Sequence, residues 1–109
     1  MVDPNATEIR RIGVIGAGTI GASWAAYFLG RGFEVSVSDP APEARDFVAR
    51  MIEDAWPILE RLGMAEDASP TRWRFNADPV ACVDGCDFVQ ESAPERYEIK
   101  IELDRKSVV

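Results

Sequence analysis

A chain of 109 residues, 47% hydrophobic and 28% charged, carries one domain's worth of core and is excluded from the disordered class. Its net charge of −7 leaves no surplus for the basic face of a nucleic-acid binder. No apolar run approaches the ~20 residues of a membrane span, and the opening MVDPNATEIRR has no apolar core of a signal peptide, so a cytoplasmic protein without membrane or nucleic-acid partners is expected.

Residues 1–8 are polar. Ile9 to Ile15 reads as a first strand, and its near-continuous apolar end suits a strand covered on both faces. From Thr19 to Leu29 the residues Ile20, Trp24, Tyr27 and Phe28 recur at helical spacing, with small residues between them. Gly30 and Gly32 then stop the helix. Phe33 to Asp39 alternates as a second strand. Strand, glycine turn, helix, glycine and strand make a βαβ unit, which implies an α/β fold with a parallel sheet.

Pro40 and Pro42 lead into a long amphipathic helix with Phe47, Met51, Ile52, Ala55, Ile58, Leu59 and Leu62 as its apolar stripe. Pro57 is expected to kink or split this helix and Gly63 to cap it. A loop over 64–71 precedes a third strand, Arg72 to Asn76. Pro79 to Val83 reads as a short helical turn, and Asp87 to Glu91 as a fourth strand. Pro94 opens a last helix carrying Tyr97, Lys100 and Ile101. Two cysteines, Cys82 and Cys86, form no disulfide framework, and with no histidine in the chain they form no zinc site. They read as small residues buried around the short helix.

The chemistry of the chain gathers at VIGAGTIG. Gly16 permits a tight turn off the first strand, Gly18 lets a pyrophosphate approach the main chain, and Gly21 lets the helix pack close to the strand. The N–H groups opening that helix then face the phosphates. A P-loop would need G-K-[ST] at the end of the glycine run, and that is absent. Asp39 stands eighteen positions beyond Gly21 at the end of the second strand, near the ~20 expected of an acid that binds the adenosine ribose hydroxyls. A carboxylate there repels a 2′-phosphate, and Pro40 rather than an arginine follows it, which favours NAD over NADP. The competing reading is that Asp39 merely caps the next helix.

Four segments, VIGAGTIGASWAA, VSDP, AWPILERLG and DFVQESAPERYEIK, together resemble the NAD-binding domain of the 3-hydroxyacyl-CoA dehydrogenase family, from about Ile9 to Lys106. The resemblance implies a Rossmann-type doubly wound parallel sheet, with strands in the order 3-2-1-4, truncated after the fourth strand and its helix. The domain is expected over residues 9–109, without the rest of the Rossmann domain or the family's helical dimerisation domain. The cofactor it implies is NAD, held by Gly16, Ala17, Gly18, Thr19, Ile20, Gly21 and Asp39. Ala93 and Pro94 match the turn that passes the nicotinamide-side ribose, and Glu95 and Lys100 match positions beside it. Read without the resemblance, Glu95 is a first-turn acid complementing its helix dipole, and Lys100 lies on a solvated face. Glu91 matches the acid that ends the fourth strand.

Family members move a hydride between NAD and the carbon bearing a 3-hydroxyl. A histidine paired with a glutamate serves as their acid–base group, with a serine and an asparagine, after a fifth strand. This chain has no histidine, so none of its own residues is assigned to catalysis and the chain alone is expected to be inactive. The full-length protein is expected to be a homodimer acting on a small hydroxy acid. Residues 42–71 contain no lysine, whereas acyl-CoA members hold the CoA nucleotide there with lysine and serine. Arg45, Arg50 and Arg61 keep a CoA ester as an alternative through a phosphate contact, and the resemblance keeps a gulonate-type substrate as another. A stand-alone NAD-binding module and an interaction scaffold remain the other readings. Trp24, Trp56 and Trp73 could cage a quaternary ammonium group, yet their spacing reads better as core and helix packing. Val89 and its neighbours are expected to form an unpaired apolar edge that invites association, leaving the chain marginally stable or self-associating.

Overall fold

A computed structural model describes residues 9–92. The strands Arg11–Ile15 (β1), Glu34–Ser38 (β2), Trp73–Phe75 (β3) and Phe88–Glu91 (β4) pair in parallel in the order β3-β2-β1-β4. The helices are Thr19–Gly30 (α1), Ala44–Leu62 (α2) and Pro79–Val83 (α3). The strand order is the expected one. Each strand is one or two residues shorter than the sequence pattern suggests, because the ladder stops where a neighbouring strand no longer offers partners.

Period-two alternation decides the layers. Ile12 and Val14 of β1 and Val35 and Val37 of β2 join α1 and α2 in the larger core. The residues between them point to the other face, where Ile15 and Val89 pack with Cys82, Val83 and Cys86 of the α3 segment. Both cysteines are buried, as expected. Two serines, Ser36 and Ser38, take the α3-facing positions of β2 and are buried. Ser36 is satisfied there: its hydroxyl donates to the Cys82 carbonyl at 2.7 Å and accepts from Arg74 Nε at 3.0 Å.

The structure corrects the expected faces of both long helices. In α1 the large residues look outward, with Ile20 70% exposed and Trp24 and Tyr27 also exposed. The buried face is Gly21, Ala22, Ala25, Ala26, Phe28, Leu29 and Gly30. Trp24 is thus not core; it stacks on Phe28 on the helix surface, with ring centroids 5.3 Å apart. In α2 the deepest residues are Ala44, Val48 and Ile52, two of them absent from the expected stripe, while Ile58 and Leu62 are exposed. Pro57 does not split the helix. It lies on the exposed side, as does Glu53 one turn earlier, so water can meet the carbonyl that proline leaves without a donor. Gly63 does end α2, at φ 100. β4 is an edge strand as expected, paired with β1 alone among the described residues, while the Val89 side chain itself is buried against the α3 segment.

Candidate dinucleotide site

The carboxyl ends of β1, β2 and β4 meet where the strand order reverses, which is where an open α/β sheet leaves a crevice for ligands. β1 runs into Gly16, whose φ of 96 lies in the left-handed region that favours glycine. Gly16 N–H donates to the Ser38 carbonyl at 2.8 Å, which ties the turn to the end of β2. Gly18 precedes α1 as its N-cap, and its carbonyl accepts from Ala22 N–H at 2.9 Å. The place a Gly18 side chain would occupy is open, with no atom within 4 Å. Gly21 is crowded in the opposite sense: a Cβ there would collide with the carbonyl oxygen of Gly16.

No side chain caps α1, and its first turn holds no acid. Among the described residues, the opening N–H groups and the positive end of the helix dipole beside Gly18 are therefore left without a side-chain cap. Thr19 and Ile20 stand exposed there.

Asp39 follows β2 and faces this loop. Its Oδ2 accepts from Ala17 N–H at 2.8 Å, and its Oδ1 accepts from Ala41 N–H at 2.8 Å. The residue that caps α2 is Glu43, so Asp39 is not a helix cap. The structure brings together Gly16, Ala17, Gly18, Thr19, Ile20, Gly21 and Asp39. Ala93, Glu95 and Lys100 lie outside the described residues, as does the helix expected after Pro94.

One residue at the site escaped the sequence reading. Ser92 continues the ladder past β4 by donating its N–H to the Ile15 carbonyl at 2.7 Å. Its Cβ sits 3.6 Å from where a Gly21 side chain would begin. The Ser92 hydroxyl is buried and has no hydrogen-bond partner among the described residues. Its only signal in sequence is its position directly after the acid that ends the strand.

The three tryptophans do not converge. Trp56 and Trp73 line a cavity of about 490 Å³ between α2 and β3, with Glu53 and Glu60 at its rim. Trp24 lines a separate hollow with Ile20 and Tyr27. Among the described residues no group of three histidine, cysteine or acidic side chains could hold a metal, and no helix is long and apolar enough to cross a membrane.

Residues 11–107 match the family described as 3-hydroxyacyl-CoA dehydrogenase, NAD binding domain. The L-carnitine dehydrogenase of Streptomyces coelicolor is 47% identical over 96 residues, which is 88% of this chain and 30% of that protein. The L-carnitine dehydrogenase of Burkholderia mallei is 48% identical over 97 residues, covering 89% of this chain and 30% of its own. Among solved structures, the 5-formyl-3-hydroxy-2-methylpyridine 4-carboxylic acid 5-dehydrogenase, an NAD+-dependent dismutase, superposes with TM-score 0.71 at 34% identity. It covers 90% of this chain and 32% of that one. The 3-hydroxybutyryl-CoA dehydrogenase of Escherichia coli K12 gives TM-score 0.68 at 30% identity, over 89% of this chain and 21% of that one. The chain thus spans about a third of the length of the curated relatives it matches.

Proposed function

Since the chain belongs to the 3-hydroxyacyl-CoA dehydrogenase family as its NAD-binding domain, we propose that it is the cofactor-holding part of an oxidoreductase that moves a hydride between NAD and the 3-hydroxyl of L-carnitine. The observation that carries the cofactor is the placing of Asp39 against the glycine loop, 2.8 Å from Ala17 N–H. A carboxylate there accepts from the two hydroxyls of an adenosine ribose and repels a 2′-phosphate. Carnitine is supported by the names of the relatives at 47% and 48% identity and by the lack of lysine over residues 42–71.

NAD, when bound, supplies the hydride acceptor. The protein's own residues orient it. Gly18 leaves room for the pyrophosphate, and the first N–H groups of α1 stabilise its charge. Asp39 fixes the adenosine end. Glu91 and Ser92 bring the chain to the crevice, and Ala93, Glu95 and Lys100 serve the nicotinamide-side ribose. The substrate proton needs an acceptor near neutral pKa within hydrogen-bond reach. With no histidine, this chain does not supply it and is inactive alone. The whole enzyme is a homodimer in the cytoplasm.

Calorimetric titration of the chain with NADH and with NADPH tests the reading. Selective NADH binding, lost in Asp39→Ala, is expected. Failure of the folded chain to bind either nucleotide overturns it, as does turnover of carnitine by this chain alone for the claim of inactivity.

A further inference from the structure

We propose that Asp39 has a second task beyond the ribose: it holds the glycine loop in its binding shape before any cofactor arrives. The inference rests on residues 16–21 being the dinucleotide loop. Glycines at 16 and 18 make that stretch permissive, so its order must come from bonds to something outside it. Two consecutive amides supply them. Gly16 N–H is tied to the Ser38 carbonyl, and the next, Ala17 N–H, is tied to Asp39 Oδ2, each at 2.8 Å. Ala17 is itself buried, so without Asp39 its N–H would lie inside the protein with no acceptor.

The same carboxylate can hold the loop and the ribose together. An ionised carboxylate has about four acceptor positions, two per oxygen. Ala17 N–H takes one on Oδ2 and Ala41 N–H takes one on Oδ1. One position is left on each oxygen, which is the number a vicinal diol requires. The ribose then adds to a finished arrangement and displaces nothing, so the cost of ordering the loop is met in the ligand-free chain. Asparagine cannot take this place, because its single oxygen serves one amide and its NH₂ group meets the other donor head-on.

The test is a double cycle that pairs Asp39→Ala and Asp39→Asn with two ligands, NADH and an NADH analogue lacking both hydroxyls of the adenosine ribose. If Asp39 served the hydroxyls only, neither substitution would change binding of the dideoxy analogue. The expected result is that both substitutions still weaken it, Asp39→Ala by about tenfold, the scale of one charge-assisted hydrogen bond. Amide exchange in the ligand-free chain gives the second readout. Ala17 N–H is expected to exchange faster in both variants while the amides of β1 keep their protection, which separates a loop effect from general loosening. Equal binding of the dideoxy analogue by wild type and both variants, or unchanged exchange at Ala17, overturns the proposal. Should the wild-type chain bind no nucleotide, the functional reading fails and exchange at Ala17 still decides whether Asp39 holds the loop.

Discussion

Gly21 packs its Cα against the carbonyl group of Gly16, so that a methyl group at Gly21 would stand 2.8 Å from the Gly16 carbonyl carbon and closer still to its oxygen. Neither atom belongs to a flexible side chain. In Gly21→Ala the helix must therefore back away from β1 or the turn at Gly16 must open. Overpacking of this kind costs about 1–3 kcal/mol, enough to lower the thermal midpoint of a domain this size by roughly 5 °C or more. Differential scanning calorimetry checks this. A midpoint equal to wild type would mean that the close approach has slack.

Gly18→Ala separates room for the protein from room for the ligand. Nothing lies within 4 Å of the added Cβ, and Gly18 has φ −73, which alanine accepts. Stability should change by no more than about 0.5 kcal/mol, since losing a good cap residue and gaining chain stiffness oppose each other. NADH affinity should fall tenfold or more, on the order of 1.4 kcal/mol, because the methyl group stands where the pyrophosphate must approach. Two glycines of one motif are thus expected to fail in different assays.

The same crowding explains what was legible in sequence and what was not. The βαβ unit and the loop from Gly16 to Gly21 follow from local patterns, the strand order follows from the family resemblance, and the structure has all three. The face of α1 does not. Pattern reading assumes that large apolar residues seek the core, but a helix held against β1 by Gly16 and Gly21 has no room there for Ile20, Trp24 or Tyr27. Alanines fill the contact instead. The sequence also marks Asp39 as a functional acid while hiding its bonds to Ala17 and Ala41, because backbone partners leave no trace in side-chain identity. Ser92 is hidden for a related reason: its hydroxyl is marked by the lack of a partner among the described residues, which side-chain identity does not reveal.

Ser92 and Ser36 should respond oppositely to loss of the hydroxyl. The Ser92 hydroxyl is buried without a partner among the described residues, and such a group costs about 1–3 kcal/mol of desolvation. Ser92→Ala should leave the ligand-free thermal midpoint unchanged or raise it. Ser36→Ala should lower it, because Arg74 Nε and the Cys82 carbonyl both lose a partner. Equal losses in the two variants would mean that Ser92 is satisfied in solution.

Thiol labelling reports on the α3 side of the sheet. Burial pushes the Cys82 thiol up to about 11, and both cysteines are buried. Near pH 8 both should resist an aromatic disulfide reagent in the folded chain and react together when it unfolds, at a rate set by global opening. Rapid labelling of either thiol in the native chain would show that α3 detaches locally.

The amino end of the sheet should govern acid sensitivity. Glu34 accepts from Arg11 at 2.8 Å and 3.1 Å and from Arg72 at 3.3 Å, and these hydrogen bonds hold its carboxyl below the ordinary 4.5. Asp87 accepts from the backbone N–H of Arg10 and Arg11, which lowers it below 3.8. A carboxyl depressed by folding contributes stability above its unfolded pKa and loses it as pH falls through the folded value. The thermal midpoint should therefore hold from about pH 7 to about pH 5 and decline below that. The side chains of Arg11 and Glu34 are 36% and 41% exposed, so water screens the pair and its share is about 0.5 kcal/mol or less. Glu34→Gln should start slightly lower at neutral pH and fall less steeply in acid, and the gap should shrink in ~0.5 M salt. An acid slope identical to wild type would place the sensitivity elsewhere, and Asp87→Asn would then be expected to flatten it.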